Sequence, residues 1–167
     1  MPKNIFLLLV VGFVLAIISG CNQEPVFPVE PRVEVLDIQP RVVKSLQDSI
    51  LIRFRFEDGD GNIGLLPEDG ADKVNLTIID SRINDFSLPD EFFVYEYRIP
   101  NLTPDTRNPS IQGEFTVKID FTKVFSGFAT SEEFRYQIKL EDRDGNIAKP
   151  INGNDEAVYT DFIEVVR

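Results

Sequence analysis

The sequence predicts an all-β chain whose folded part is an antiparallel sandwich of about seven strands. Two observations carry this expectation. Apolar and polar residues alternate with period two in one segment after another, as a sheet with one buried face requires. No segment offers a convincing amphipathic helix, and residues 124–133 have room for one short helical turn at most.

The chain opens on its only long apolar run, residues 5–18, with Lys3 before it and the small pair Ser19-Gly20 after it. The run is shorter than the roughly 20 residues that cross a bilayer, so it has the layout of a signal peptide and not of a permanent span. It ends in Ile18-Ser19-Gly20-Cys21, which holds the only cysteine. This motif resembles the lipobox of bacterial lipoproteins, in which an aliphatic and two small residues precede a lipid-bearing cysteine. The resemblance implies that residues 1–20 are removed, that a diacylglycerol is attached to the Cys21 sulfur, and that the new amino group is commonly acylated too. Two or more chains anchor stably where one is marginal. Asn22 stands where an aspartate would favour retention in the inner membrane, so the resemblance points to the outer membrane, on its periplasmic or its outer face. Without it, Cys21 reads as a small apolar residue at the end of a signal peptide.

Residues 21–32 comprise this cysteine and an extended tether. The segment NQEPVFPVEPR has three prolines and no hydrophobic period, and stretched out it would reach on the order of 35 Å. Residues 33–167 remain for the sandwich, enough for one domain with its own core and too few for two ordinary ones.

The first strand covers residues 33–38, and its apolar parity shifts between Val35 and Leu36 as a bulge would require. In the second, Ile50, Ile52, Phe54 and Phe56 alternate with Leu51, Arg53, Arg55 and Glu57. Val74, Leu76 and Ile78 mark a short third strand. Phe93, Tyr95, Tyr97 and Ile99 line one face of the fourth. Phe115, Val117, Ile119 and Phe121 mark the fifth, and Phe134, Tyr136, Ile138 and Leu140 the sixth. Residues 158–166 close the chain, while 81–90 and 100–109 read as surface loops. Phe54, Phe121, Tyr136 and Ile138 are expected to meet in one core between two sheets.

The sixth strand runs Tyr136-x-Ile138-x-Leu140-x-Asp142-x-x-Gly145-Asn146. It resembles the late strand of immunoglobulin-like and fibronectin type III-like modules, where a tyrosine precedes two inward apolar residues and an Asp-x-x-Gly-Asn turn. The resemblance implies an immunoglobulin-like β-sandwich, in the looser sense that lacks the cystine and core tryptophan of antibody domains.

Two strands end alike, in Glu57-Asp58-Gly59-Asp60-Gly61-Asn62-Ile63 and Glu141-Asp142-Arg143-Asp144-Gly145-Asn146-Ile147. In a seven-strand sandwich these loops follow the second and sixth strands and lie beside each other at the end where the tether enters. Oxygen ligands at alternate positions are what a calcium loop supplies, so Asp58, Asp60, Asn62, Asp142, Asp144 and Asn146 are candidate ligands of a shared calcium ion. The EF-hand pattern fails beyond them: Ile63 and Ile147 stand where that loop needs glycine. Asp-Gly and Gly-Asn pairs also form tight turns without metal, because Gly and Asn tolerate positive φ and Asp bonds its own backbone. Both readings stand open at this point.

Composition excludes more than it assigns. With 28 acidic and 17 basic residues the formal charge is −11, and such a surface is repelled by phosphate backbones, so no nucleic-acid partner is expected. There is no histidine. Serine-histidine triads, cysteine-histidine dyads and histidine-zinc sites are thereby ruled out. A glycan hydrolase would need a deep cleft with two facing carboxylates, and among so many acidic residues no pair stands out.

The sequence thus reads as a lipid-anchored cell-envelope protein that acts as a non-catalytic binding or assembly module, with calcium as its one candidate cofactor. Its expected partners are the membrane through lipidated Cys21 and an envelope protein or glycan. The alternative is a carbohydrate-binding accessory lipoprotein of a glycan uptake or hydrolysis system, in which Tyr95 and Tyr97 stack on sugar rings. An aromatic row in a sandwich otherwise belongs to its core.

Overall fold

A computed structural model describes residues 26–102, 110–120, 122–153 and 157–167. Residues 1–25, with the expected signal segment and Cys21 among them, Phe121 and most of the 100–109 loop lie outside the described residues.

The described residues fold as strands joined by loops and three short 3-10 turns. In order these strands are β1 (Arg32–Gln39), β2 (Val42–Lys44), β3 (Ile50–Asp58), β4 (Leu76–Asp80), β5 (Val94–Tyr97) and β6 (Ile111–Ile119). There follow β7 (Ser131–Phe134), β8 (Tyr136–Leu140), β9 (Lys149–Pro150), β10 (Val158–Tyr159) and β11 (Ile163–Val166). They form three sheets, with strand orders β6-β3-β1-β9, β10-β8-β4-β5 and β2-β11-β7. All pairs are antiparallel except β1 with β9 and β2 with β11.

Alternation decides which side chains go inward. Along β3 the residues Ile50, Ile52, Phe54 and Phe56 are buried while Leu51, Arg53 and Arg55 face solvent. On β6, Val117 and Ile119 are buried and Phe115 stacks on Phe54 with ring centroids 5.0 Å apart. On β8, Tyr136, Ile138 and Leu140 are buried, and Phe134 meets Tyr136 edge-on at 5.3 Å. These side chains join Val33, Ile38, Leu76, Ile78, Ile163 and Val165 in one apolar cluster that draws on all three sheets. The bulge expected in the first strand is present: the β1–β3 register shifts between Val35 and Asp37.

Several expectations need correction. The third strand begins at Leu76, and Val74 is exposed. The fourth begins at Val94, because Phe93 ends the 3-10 turn Asp90–Phe92. No helix occupies 124–133; that stretch is irregular until β7 starts at Ser131. The expected sixth and seventh strands are each broken. Arg135 separates β7 from β8, and residues 160–162 separate β10 from β11. At the break the Arg135 amide donates to Ser81 Oγ (3.1 Å) and the Tyr136 amide to Thr160 Oγ1 (3.0 Å). Hydroxyls thus take over where the ladder lapses.

The 81–90 loop is not wholly a surface loop. Its first turn, Ser81–Asn84, is capped by Asp80 and places Arg82 in the interior. There the guanidinium reaches Asp80, Glu132, Thr122 Oγ1 and the Lys123 carbonyl, and lies over the Phe134 ring at 3.8 Å.

Candidate functional site

The site is built by continuing the strand alternation one step past its last apolar residue. After Ile52, Phe54 and Phe56, the next inward position of β3 is Asp58, which is fully buried. After Tyr136, Ile138 and Leu140, the next inward position beyond β8 is Asp142, also buried. Each strand therefore delivers a carboxylate to the interior at its end. The parity of Asp58 and Asp142 with the apolar series is the sequence signal that separates them from the less buried residues on either side.

The two loops lie side by side. Asn62 Nδ2 donates to Asp144 Oδ2 at 3.0 Å and to Asp60 Oδ2 at 3.2 Å. The Arg143 amide donates to the Asn62 carbonyl at 3.3 Å, and Ile63 and Asp142 form an antiparallel bridge. The chain entry is at the same place. Gly59 N–H donates to the Pro28 carbonyl at 2.7 Å, and a Cβ on Gly59 would collide with the carbonyl oxygens of Phe27 and Pro28.

Near-identical sequences have nonetheless made two different loops. In the second, Asp142 is fully engaged: Oδ1 accepts from the amides of Asp144 (2.9 Å) and Asn146 (2.8 Å), and Oδ2 from Asn146 Nδ2 (2.8 Å). This is a self-satisfied aspartate turn. In the first, Asp58 Oδ2 accepts from the Ile63 amide at 2.9 Å. Its Oδ1, with Asp60 Oδ1 and Asn62 Oδ1, is buried and has no hydrogen-bond donor. Burial pushes the Asp58 pKa up to about 6; the Ile63 amide opposes the rise and the adjacent Asp60 carboxylate adds to it.

The residue that differs between the copies explains part of this. Where the first loop has Gly59, against which the incoming chain lies, the second has Arg143. Its Nη1 reaches across to the Gly64 carbonyl (3.0 Å) and Asn101 Oδ1 (3.2 Å) and braces the first loop from the side. None of the ion pairs among the described residues involves Asp58, Asp60, Asp142 or Asp144.

The six expected ligands therefore do not converge as one set. Asp142 and Asn146 are turned into their own loop, whereas Asp58, Asp60 and Asn62 keep oxygens free, with Asp144 linked to them through the Asn62 amide. Among the described residues, no group of three or more His, Cys, Asp or Glu side chains is arranged to hold a metal. The free oxygens here belong to two carboxylates and one carboxamide.

Tyr95 and Tyr97 lie against the apolar cluster. Tyr95 meets Tyr136 edge-on at 5.9 Å, and burial pushes its hydroxyl up to about 12. Tyr97 donates its hydroxyl to the Lys118 carbonyl at 2.9 Å. Glu96 between them is the exposed residue of β5. Among the described residues the exposed aromatic rings are elsewhere, at Phe92, Phe128, Tyr159 and Phe162.

Comparison of the chain with protein-family models, with curated proteins and with solved structures finds no match. Among the described residues no helix is long and apolar enough to cross a membrane.

Proposed function

We propose that the protein is a lipid-anchored component of the bacterial cell envelope, held at the outer membrane through Cys21, whose folded part is an immunoglobulin-like β-sandwich serving as a non-catalytic binding or assembly module. The observation that carries the anchoring is the complete four-residue lipobox at Ile18-Ser19-Gly20-Cys21, followed by a proline-rich tether.

The strand pairing supports the sandwich. The order β6-β3-β1 on one side and β10-β8-β4-β5 on the other corresponds to the E-B-A and G-F-C-C′ arrangement of immunoglobulin-like modules. The parallel run of β2 along β11 fits a first strand that crosses from one sheet to the other.

A binding role is preferred to catalysis because the chain lacks histidine and its buried carboxylates are taken up structurally, Asp58 and Asp142 in turns at one end of the strands and Asp80 in an ion pair with Arg82 at the other. The protein-binding form is preferred to the carbohydrate-binding one because Tyr95 and Tyr97 are laid against the core. The test is fractionation of cells expressing the full chain or Cys21→Ser. Membrane retention should be lost in the variant; retention of Cys21→Ser after a carbonate wash would overturn the anchoring.

A further inference from the structure

We propose that Asp58, Asp60 and Asn62 form a single calcium site, and that the second Asp-x-Asp-Gly-Asn loop is its brace and not a second site. The inference stands on the geometry of the loops and is independent of how the chain is anchored.

Asp58 and Asn62 are each more than nine-tenths buried, and each holds a side-chain oxygen that no protein donor reaches. Asp60 Oδ1 is a third such oxygen in the same five-residue stretch. A buried acceptor left without a partner is costly, and three together are rarer still. The three side chains occupy alternate positions, with Gly61 at φ +66 turning the backbone between Asp60 and Asn62, which is how a short loop presents several oxygens to one ion. Residues 61–65 that follow are all buried, so the loop is a built part of the interior.

The donors identify the ion. Oxygen ligands of mixed charge, two carboxylates and a carboxamide, suit a hard divalent cation. An irregular set with room for backbone or water oxygens suits calcium better than magnesium, which demands near-octahedral geometry and keeps its waters. The second loop has no buried side-chain oxygen left without a donor. Asp142 already accepts from Asp144 N–H, Asn146 N–H and Asn146 Nδ2, so an ion there would compete with three hydrogen bonds. What that loop supplies is position: Asp144 Oδ2 holds the Asn62 amide by its nitrogen, leaving Asn62 Oδ1 as the free end. Arg143 ties the backbone at Gly64. Since Gly59 in the proposed site donates to Pro28, the ion also fixes the base of the tether.

The test is isothermal titration of the full chain, purified in detergent and stripped of metal by chelation, with calcium chloride and separately with magnesium chloride. One calcium per chain is expected, with an affinity on the order of 10⁻⁴ M and at least tenfold weaker magnesium binding. At 100 times the dissociation constant, calcium should raise the Tm by about 5–10 °C over chelator. Asp60→Asn should weaken binding at least tenfold, while Asp144→Asn, whose amide oxygen still accepts from Asn62, should keep one site within about threefold. Two calcium ions per chain, a response to Asp144→Asn equal to that of Asp60→Asn, or equal Tm in calcium and chelator with no binding heat would each overturn the proposal. The wild-type melt stands even if a variant fails to fold.

Discussion

The Arg82 guanidinium grips the Asp80 carboxylate with two hydrogen bonds, Nη2 to Oδ2 at 2.6 Å and Nε to Oδ1 at 3.0 Å, while Asp80 is fully buried and Arg82 is 3% exposed. Burial pushes the Asp80 pKa up, against the pull of Arg82. The guanidinium is held charged because Asp80 and Glu132 together outweigh its own burial. Removing one partner strands the other charge in the interior, so Arg82→Met is expected to cost about 3–5 kcal/mol. The double variant Asp80→Leu with Arg82→Met should cost less than the sum of the single ones. Denaturant unfolding of the three variants checks this; additive costs would mean that the two side chains are not coupled.

Glu132 gives the network its pH dependence. Burial works against its charge, but the amides of Ser126 (2.5 Å) and Phe125 (3.1 Å) and the Arg82 guanidinium outweigh it, and the net effect lowers its pKa. A carboxylate with a lowered folded-state pKa adds stability above its unfolded value, about 4.5, and loses it as the pH falls through the lower folded value. Asp80, with its raised pKa, contributes with the opposite sign, and Arg82 and Lys123 flank the same Phe125 ring as cations. The expected observation is therefore a difference: wild type should exceed Glu132→Gln in stability at pH 7, with the gap closing below about pH 4.5. A gap independent of pH would leave the charge of Glu132 without a role.

Much of the fold was legible because one rule, alternation, governs long strands with one buried face. It placed Phe54, Tyr136 and Ile138 inside and predicted the shift near Val35, and the same parity extends to Asp58 and Asp142. It failed where side chains replace the ladder. Nothing in the order of residues around Arg135 reveals that Ser81 and Thr160 hydroxyls will bridge a strand break there. Arg82 was read as a loop residue because a charged side chain enters the interior only when distant partners meet it, and Thr122, Lys123 and Glu132 are some forty to fifty positions away. The two Asp-x-Asp-Gly-Asn loops looked equivalent for the same reason. Their difference comes from what packs on Gly59 and where Arg143 reaches.

The core itself should be most sensitive at Phe54, which is fully buried, stacks on Phe115 and belongs to the central strand of the β6-β3-β1 group. Phe54→Ala is expected to cost about 3–5 kcal/mol. Its neighbour Arg55 points to solvent and makes only loose ion pairs, at 3.7 Å to Glu34 and 3.8 Å to Glu114. Arg55→Ala should stay within about 0.5 kcal/mol. Chemical denaturation of both variants decides it, and comparable losses would mean that the face of β3 is misassigned.

Gly64 separates two reasons for a glycine. Gly64, Gly70 and Gly145 all have positive φ, at +91°, +96° and +87°, so alanine at any of them carries a conformational cost of roughly 1–2 kcal/mol. At Gly70 and Gly145 the added Cβ would meet open space. At Gly64 it would collide with the carbonyl of Pro100 and approach Asn101 Cα, both backbone and unable to swing aside. The collision falls where Leu65 pairs with Pro100 in a parallel bridge, with Leu65 N–H on the Ile99 carbonyl (2.9 Å) and Asn101 N–H on the Leu65 carbonyl (3.1 Å). Yielding would therefore cost hydrogen bonds as well as strain. Gly70→Ala and Gly145→Ala should each lower stability by about 1–2 kcal/mol, and Gly64→Ala by a further ~1–3 kcal/mol, the range for forcing extra volume into a packed site. Thermal melts of the three variants side by side give the comparison. Equal losses at all three would mean that the chain around Pro100 moves freely enough to accept the methyl group, and that the bridge to Leu65 does little to hold the first loop in place.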